Sequence, residues 1–152
     1  MGGLIGEGGF GLTEDCYALV DVNPNTGVGG LIGLYLRGTI SNCYSSSSVS
    51  GTTDVGELLG IESENNVIVM SCYFLDPNDG GGPDNGYGEL LTDAKIKQQA
   101  SFVAWDFVHV WNISENQTYP YLRSVPAGDI NKDGIVNFFD FAIITEKWME
   151  EK

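Results

Sequence analysis

Short blocks of apolar residues bracketed by glycine punctuate the first half of this chain. "GGLIG" occurs at residues 2–6 and again at 29–33, and "GELLG" occupies 56–60, so the first glycines are 27 residues apart in both steps. A Cys-Tyr pair recurs in phase, at Cys16-Tyr17, Cys43-Tyr44 and Cys72-Tyr73, with steps of 27 and then 29. The two extra residues fall in "ESENN" at 62–66, a loop insertion. Two markers holding one period identify a repeat protein.

Between the markers, polar and apolar residues do not follow a helical face. "RGTISNCYSSSSVSGTTD" (37–54) has short strand-like pieces with β-branched residues, separated by Ser, Thr, Asn and Gly. The pattern predicts a mainly β fold: a parallel β-solenoid of about three 27-residue coils. Each coil would hold two or three short strands, with successive coils pairing at roughly 4.8 Å. Glycines at fixed positions let the corners of the backbone stack closely.

The unit resembles the GLUG-motif repeat of bacterial surface and secreted proteins. Gly30-Leu31-Ile32-Gly33, Ile40-Ser41-Asn42-Cys43-Tyr44 and Val49 carry the resemblance, and the first and third units match it more loosely. It implies a scaffold, found beside many different modules, and not a particular activity. The solenoid is expected over residues 1–91.

Beyond the third unit, "DPNDGGGPDNG" (76–86) breaks the period and reads as solvated turns. "GELL" (88–91) reads as a fourth coil starting late, 32 residues after Gly56. "TDAKIKQQASF" predicts a short helix with Thr92 as N-cap and Asp93 in its first turn. "FVAWDFVHVWNI" returns to strand-like alternation, with His109 as a strand residue between Val108 and Val110. Residues 92–123 are expected to cap the unpaired edge of the last coil, with 124–128 as a linker. Trp105-Asp106-Phe107, Trp111-Asn112-Ile113 and Tyr119-Pro120-Tyr121-Leu122 resemble the terminal segment of GLUG-containing proteins.

The last stretch, 129–152, has calcium-loop spacing. Asp129, Asn131, Asp133 and Asp140 stand at loop positions 1, 3, 5 and 12, Gly134 at the turn, and Ile135 offers its carbonyl at position 7. Position 12 is Asp, and no helix precedes the loop. Both features resemble one half of a type I dockerin, which implies one bound Ca2+ and a docking role. With three carboxylates and no second loop, the expected affinity is weak, on the order of 10⁻⁵ to 10⁻³ M. Phe138 and Phe139 occupy the positions where cellulosomal dockerins carry small hydroxyl residues. Together with Phe141 and Trp148 they make the following helix too apolar for a surface helix. The expected partner is a cohesin-like or cell-surface receptor protein, or a second copy of the chain through this C-terminal helix.

Charge narrows the partners further. The 152 residues carry a formal net charge of −14 with only seven Lys and Arg, scattered singly. Nucleic acid and anionic membranes are therefore poor partners, whereas calcium and neutral polysaccharide fit. No apolar run is long enough to span a bilayer, and no signal peptide precedes the first repeat. The expectation is an extracellular or cell-surface protein of which this chain is an N-terminally truncated fragment. Three cysteines at one repeat position are expected to stack as a buried ladder, with a disulfide between neighbouring coils as the alternative. No histidine shares the period, which disfavours a metal site there. Three coils form a short groove without a basic catalytic residue, so the expected role is non-catalytic: an adhesion-type surface module. The alternative is a dockerin-type tether of a larger polysaccharide-degrading enzyme whose catalytic region lies elsewhere.

Overall fold

The computed structural model describes residues 1–63, 66–124, 128–130, 138–139 and 141–143. Most of the regular structure is β, in parallel pairings one repeat apart. The longest sheet joins β1 (Ile5–Glu14) to β4 (Ile32–Ser41), with Ile5 opposite Ile32 and Glu14 opposite Ser41. A third layer beside β4 is split in two. β7 (Leu59–Glu62) sets Leu59 against Ile32 at an offset of 27. β8 (Val67–Met70) sets Val67 against Gly38 at an offset of 29. The two inserted residues therefore fall between Glu62 and Val67, where the sequence expected them.

A second sheet stacks the Cys-Tyr segments. β2 (Tyr17–Ala18), β5 (Tyr44–Ser45) and β9 (Tyr73–Leu75) align Tyr17, Tyr44 and Tyr73 in register. A third pairs β3 (Thr26–Gly29) with β6 (Thr53–Gly56). Glycine is required where layers meet. A Cβ on Gly33 would lie 2.4 Å from the backbone of Met1, and one on Gly60 would lie 2.6 Å from the carbonyl of Gly33. Leu31, Ile32, Ile40, Leu58 and Leu59 fill the interior between the sheets and are fully buried.

One corner recurs in all three layers. Asp15, Asn42 and Ser71 each adopt a left-handed backbone, with φ of 52°, 50° and 49°. Asp and Asn visit this region at little cost; Ser71 does so less readily. The next residue is a cysteine whose thiol donates to the carbonyl two residues back: Cys16 to Glu14, Cys43 to Ser41, Cys72 to Met70. All three thiols are free, Cys43 and Cys72 buried and Cys16 half-buried.

Several expectations for residues 76–123 need correction. "GELL" does not restart the glycine wall. β10 (Glu89–Leu91) pairs with β9, Glu89 opposite Tyr73, and becomes the fourth strand of the tyrosine sheet. The place beside Gly56 and Leu59 goes instead to the 76–86 loop, which is largely exposed, as expected of turns, but is tied to the third layer through Gly82, Pro83 and Asn85. Pro83 accepts from the Glu57 amide at 2.9 Å, and the Asn85 side-chain amide donates to the Leu59 and Gly60 carbonyls at 2.7 and 3.2 Å.

The helix is short, α1 (Asp93–Ile96), and Thr92 caps it as expected by accepting from the Lys95 amide. A 3-10 turn over Gln99–Ser101 follows. "FVAWDFVHV" is turn rather than strand, and only β11 (Trp111–Asn112) is extended, pairing antiparallel with β12 (Tyr121–Leu122). Asp106 is the reason. Its carboxylate accepts from the amides of Val108 and His109 at 2.8 and 2.9 Å, a local closure that overrides apolar alternation. His109 is thus an exposed turn residue, its Nδ1 3.0 Å from Asp106 Oδ2. The 92–123 segment begins beside β10, the outermost strand of the tyrosine sheet, with Ile96 buried in one cluster with Leu75 and Leu91. It runs alongside the tyrosine sheet and touches all three layers.

Candidate functional site

Of the expected calcium ligands, the structure describes only Asp129, which is buried. Asn131, Asp133, Ile135 and Asp140, and the expected docking residue Trp148, lie outside the described residues. Among the described residues no group of three or more His, Cys, Asp or Glu side chains is arranged to hold a metal. Phe138, Phe139 and Phe141 are described, and all three are exposed, at 76, 71 and 57%. The rings of Phe138 and Phe141 lie 6.2 Å apart. Three neighbouring phenylalanines in water form an unusual concentration of unburied apolar surface.

A second apolar surface lies on the outer face of the long sheet. Leu12, Thr39 and Ile68 stand side by side across β1, β4 and β8, as do Glu14, Ser41 and Met70. Leu12, Ile68 and Met70 are exposed, and so is Phe10, with the Arg37 guanidinium 4.3 Å from its ring centre. No sequence pattern singled these residues out, because single exposed apolar positions in strands are common.

The tyrosine sheet is covered by an aromatic cluster. Tyr17 stacks on Tyr44 at 5.4 Å, and Trp111 packs against both. Phe102 and Trp105 pack on Tyr44 and Tyr73. Each layer also receives a polar tie from 92–123. Trp111 donates to Asp15 at 3.0 Å, Tyr44 donates to the Pro120 carbonyl at 2.6 Å, and Trp105 donates to the Ser71 carbonyl at 2.8 Å. Burial pushes the Tyr44 phenol well above its ordinary range, so it stays a donor.

One buried polar group escaped the sequence reading. Glu57 replaces the second glycine of the motif, where the earlier units have Gly3 and Gly30, and it is 1% exposed. Its Oε1 accepts from the Ser45 hydroxyl at 2.9 Å and the Ser47 amide at 2.7 Å, and its Oε2 accepts from the Gly82 amide at 2.6 Å. Burial pushes this carboxyl up to about 7, against the downward pull of those three donors, with Asp21 adding to the rise. The substitution of Glu for Gly within an otherwise repeated block was the available signal. In the cysteine ladder, the neighbouring Cys72 thiol and burial push the Cys43 thiol up, so it remains protonated.

The family model described as the GLUG motif matches residues 24–50. That span holds the second unit, from before Gly29 to just past Val49. No curated protein and no solved structure matches the chain.

Proposed function

We propose that this chain is a non-catalytic extracellular scaffold: a short β-solenoid of GLUG-type coils whose C-terminal segment is a dockerin-like calcium loop and docking helix. The observation that carries the solenoid half is the register. Three layers stack in parallel at offsets of 27 and 29 on the long sheet and on the tyrosine sheet, with glycines where their backbones meet. The matched family segment falls on the middle layer.

The docking half rests on the ligand spacing from Asp129 to Asp140 and on the exposure of Phe138, Phe139 and Phe141. Burying one large apolar side chain contributes roughly 1.5–3 kcal/mol, so a partner that covers three of them gains substantially. Calcium would order the loop and give the helix a defined exit direction. The partner is then a receptor protein or a second copy of the chain, held outside the cell where calcium is abundant. The apolar outer face with Phe10, Leu12, Ile68 and Met70 suits contact with a neutral surface such as polysaccharide.

Calorimetry tests the calcium site. Titrating calcium into the full chain should give a saturable heat that disappears in Asp129→Ala; equal heats in the two proteins would reject the site. Sedimentation with a candidate receptor or with the chain alone, in calcium and in chelator, reads the docking step.

A further inference from the structure

The surroundings of Glu57 form a clasp between two parts of the chain that are far apart in sequence. Its main-chain amide donates to Pro83, and its carboxyl receives the Gly82 amide, so both ends of one residue hold the 76–86 loop. The fit is close, since a Cβ on Gly82 would lie 2.5 Å from Oε2. On the other side Oε1 faces Ser45 and the Ser47 amide in β5 and the turn after it.

No Lys, Arg or His pairs with this carboxyl among the described residues. The one charged group that acts on it electrostatically among the described residues is acidic. Asp21 lies close enough to act on it electrostatically and is itself turned to the Ser48 amide, and Asp84 of the loop accepts from Gly86. A buried anion without a cation is costly even with three hydrogen bonds. The neutral acid fits the same geometry. A proton on Oε1 can be donated to Ser45 Oγ, whose own hydrogen turns to Ser47 Oγ at 3.3 Å, while Oε2 stays a carbonyl and keeps the Gly82 amide.

We propose that Glu57 is a proton-operated clasp for the 76–86 loop: neutral, it holds the loop closed over the third layer, and charged, it loosens that loop. Opening lets water reach the carboxylate, so the open form gains wherever the acid is ionised. The shift of the Glu57 carboxyl to about 7 agrees with this direction.

The test is amide exchange and carboxyl titration by NMR on the full chain. In the wild type, Gly82 protection, corrected for the intrinsic rate, should fall about thirtyfold between pH 5.5 and 8.5. The Glu57 carboxyl carbon should titrate near neutrality. In Glu57→Gln the protection of Gly82 should be flat over that range. A Glu57 signal titrating in the ordinary carboxylate range, or flat Gly82 protection in the wild type, would overturn the clasp. So would a folded Glu57→Gln that shows the wild-type fall. If that variant does not fold, the two wild-type measurements decide alone.

Discussion

The indole N–H of Trp111 donates to Asp15 Oδ1 at 3.0 Å, joining two residues 96 positions apart. Asp15 is the left-handed corner of the first layer, and Trp111 is the largest fully buried side chain of the lateral segment. One contact therefore fixes both the corner and the wall that packs on it.

Replacing Asp15 should reveal both roles. Asp15→Ala removes the acceptor and strains the left-handed corner, for an expected loss of about 1–3 kcal/mol. Asp15→Asn keeps an acceptor and tolerates the same φ, and should lose less than half as much. Urea unfolding of the two variants checks this. Equal losses would mean that the indole contact adds nothing.

Trp111→Ala should be more severe, at about 3–5 kcal/mol, because it empties the centre of the aromatic cluster. Tyr44→Phe is milder. It leaves the ring in place and removes one buried hydrogen bond to Pro120, for about 1 kcal/mol. The order of the two unfolding midpoints is the observable.

The repeat was legible because its cause is local and steric. Backbones that touch across layers exclude a Cβ, so Gly29, Gly33 and Gly60 mark the period where a layer meets its neighbour. The Thr92 cap was legible for a similar reason, since its partner Lys95 is three residues away. What escaped depended on distant partners. Nothing near Trp105 or Trp111 in sequence reveals that they face Ser71 and Asp15. The 76–86 loop is legible as exposed turns, but its ties to Glu57 and Leu59 are not. The strand pattern around His109 failed because Asp106, a single carboxylate, closes the turn. The spacing from Asp129 to Asp140 is legible as ligand chemistry, but its geometry lies mostly outside the described residues.

The glycines make a paired prediction. Gly33 and Gly6 hold the same place in successive layers, but a Cβ on Gly6 would meet nothing within 4 Å among the described residues. Gly33→Ala should cost about 1–3 kcal/mol through overpacking against Met1. Gly6→Ala should be neutral, or stabilise by about 0.4–1 kcal/mol by restricting the unfolded chain. Thermal unfolding of the two variants separates them, and a Gly6→Ala loss as large as that of Gly33→Ala would contradict the layer geometry.

Thiol accessibility should follow the ladder. Cys16 is half-buried while Cys43 and Cys72 are buried. In native protein a thiol-reactive disulfide reagent should modify Cys16 first, slowly, because burial raises its thiol above the ordinary value. After denaturation without reductant all three should react. Two unreactive thiols would mean a bridge between layers.

Glu57 also predicts how global stability varies with pH. Its folded carboxyl is raised to about 7, so the folded chain binds this proton more tightly than the unfolded chain. Its contribution is absent above about pH 7, grows as pH falls, and is complete below the unfolded carboxyl value near 4. The gain is on the order of 3 kcal/mol for a group this buried. Other carboxylates of this acidic chain also lose charge in the same window, so the relevant quantity is a difference. Urea midpoints of wild type and Glu57→Gln, compared at pH 8 and pH 5, should diverge: the wild type should gain more stability on acidification than the variant. Parallel pH profiles would place the Glu57 proton equilibrium at the same value in both states, and the buried anion would then carry no cost.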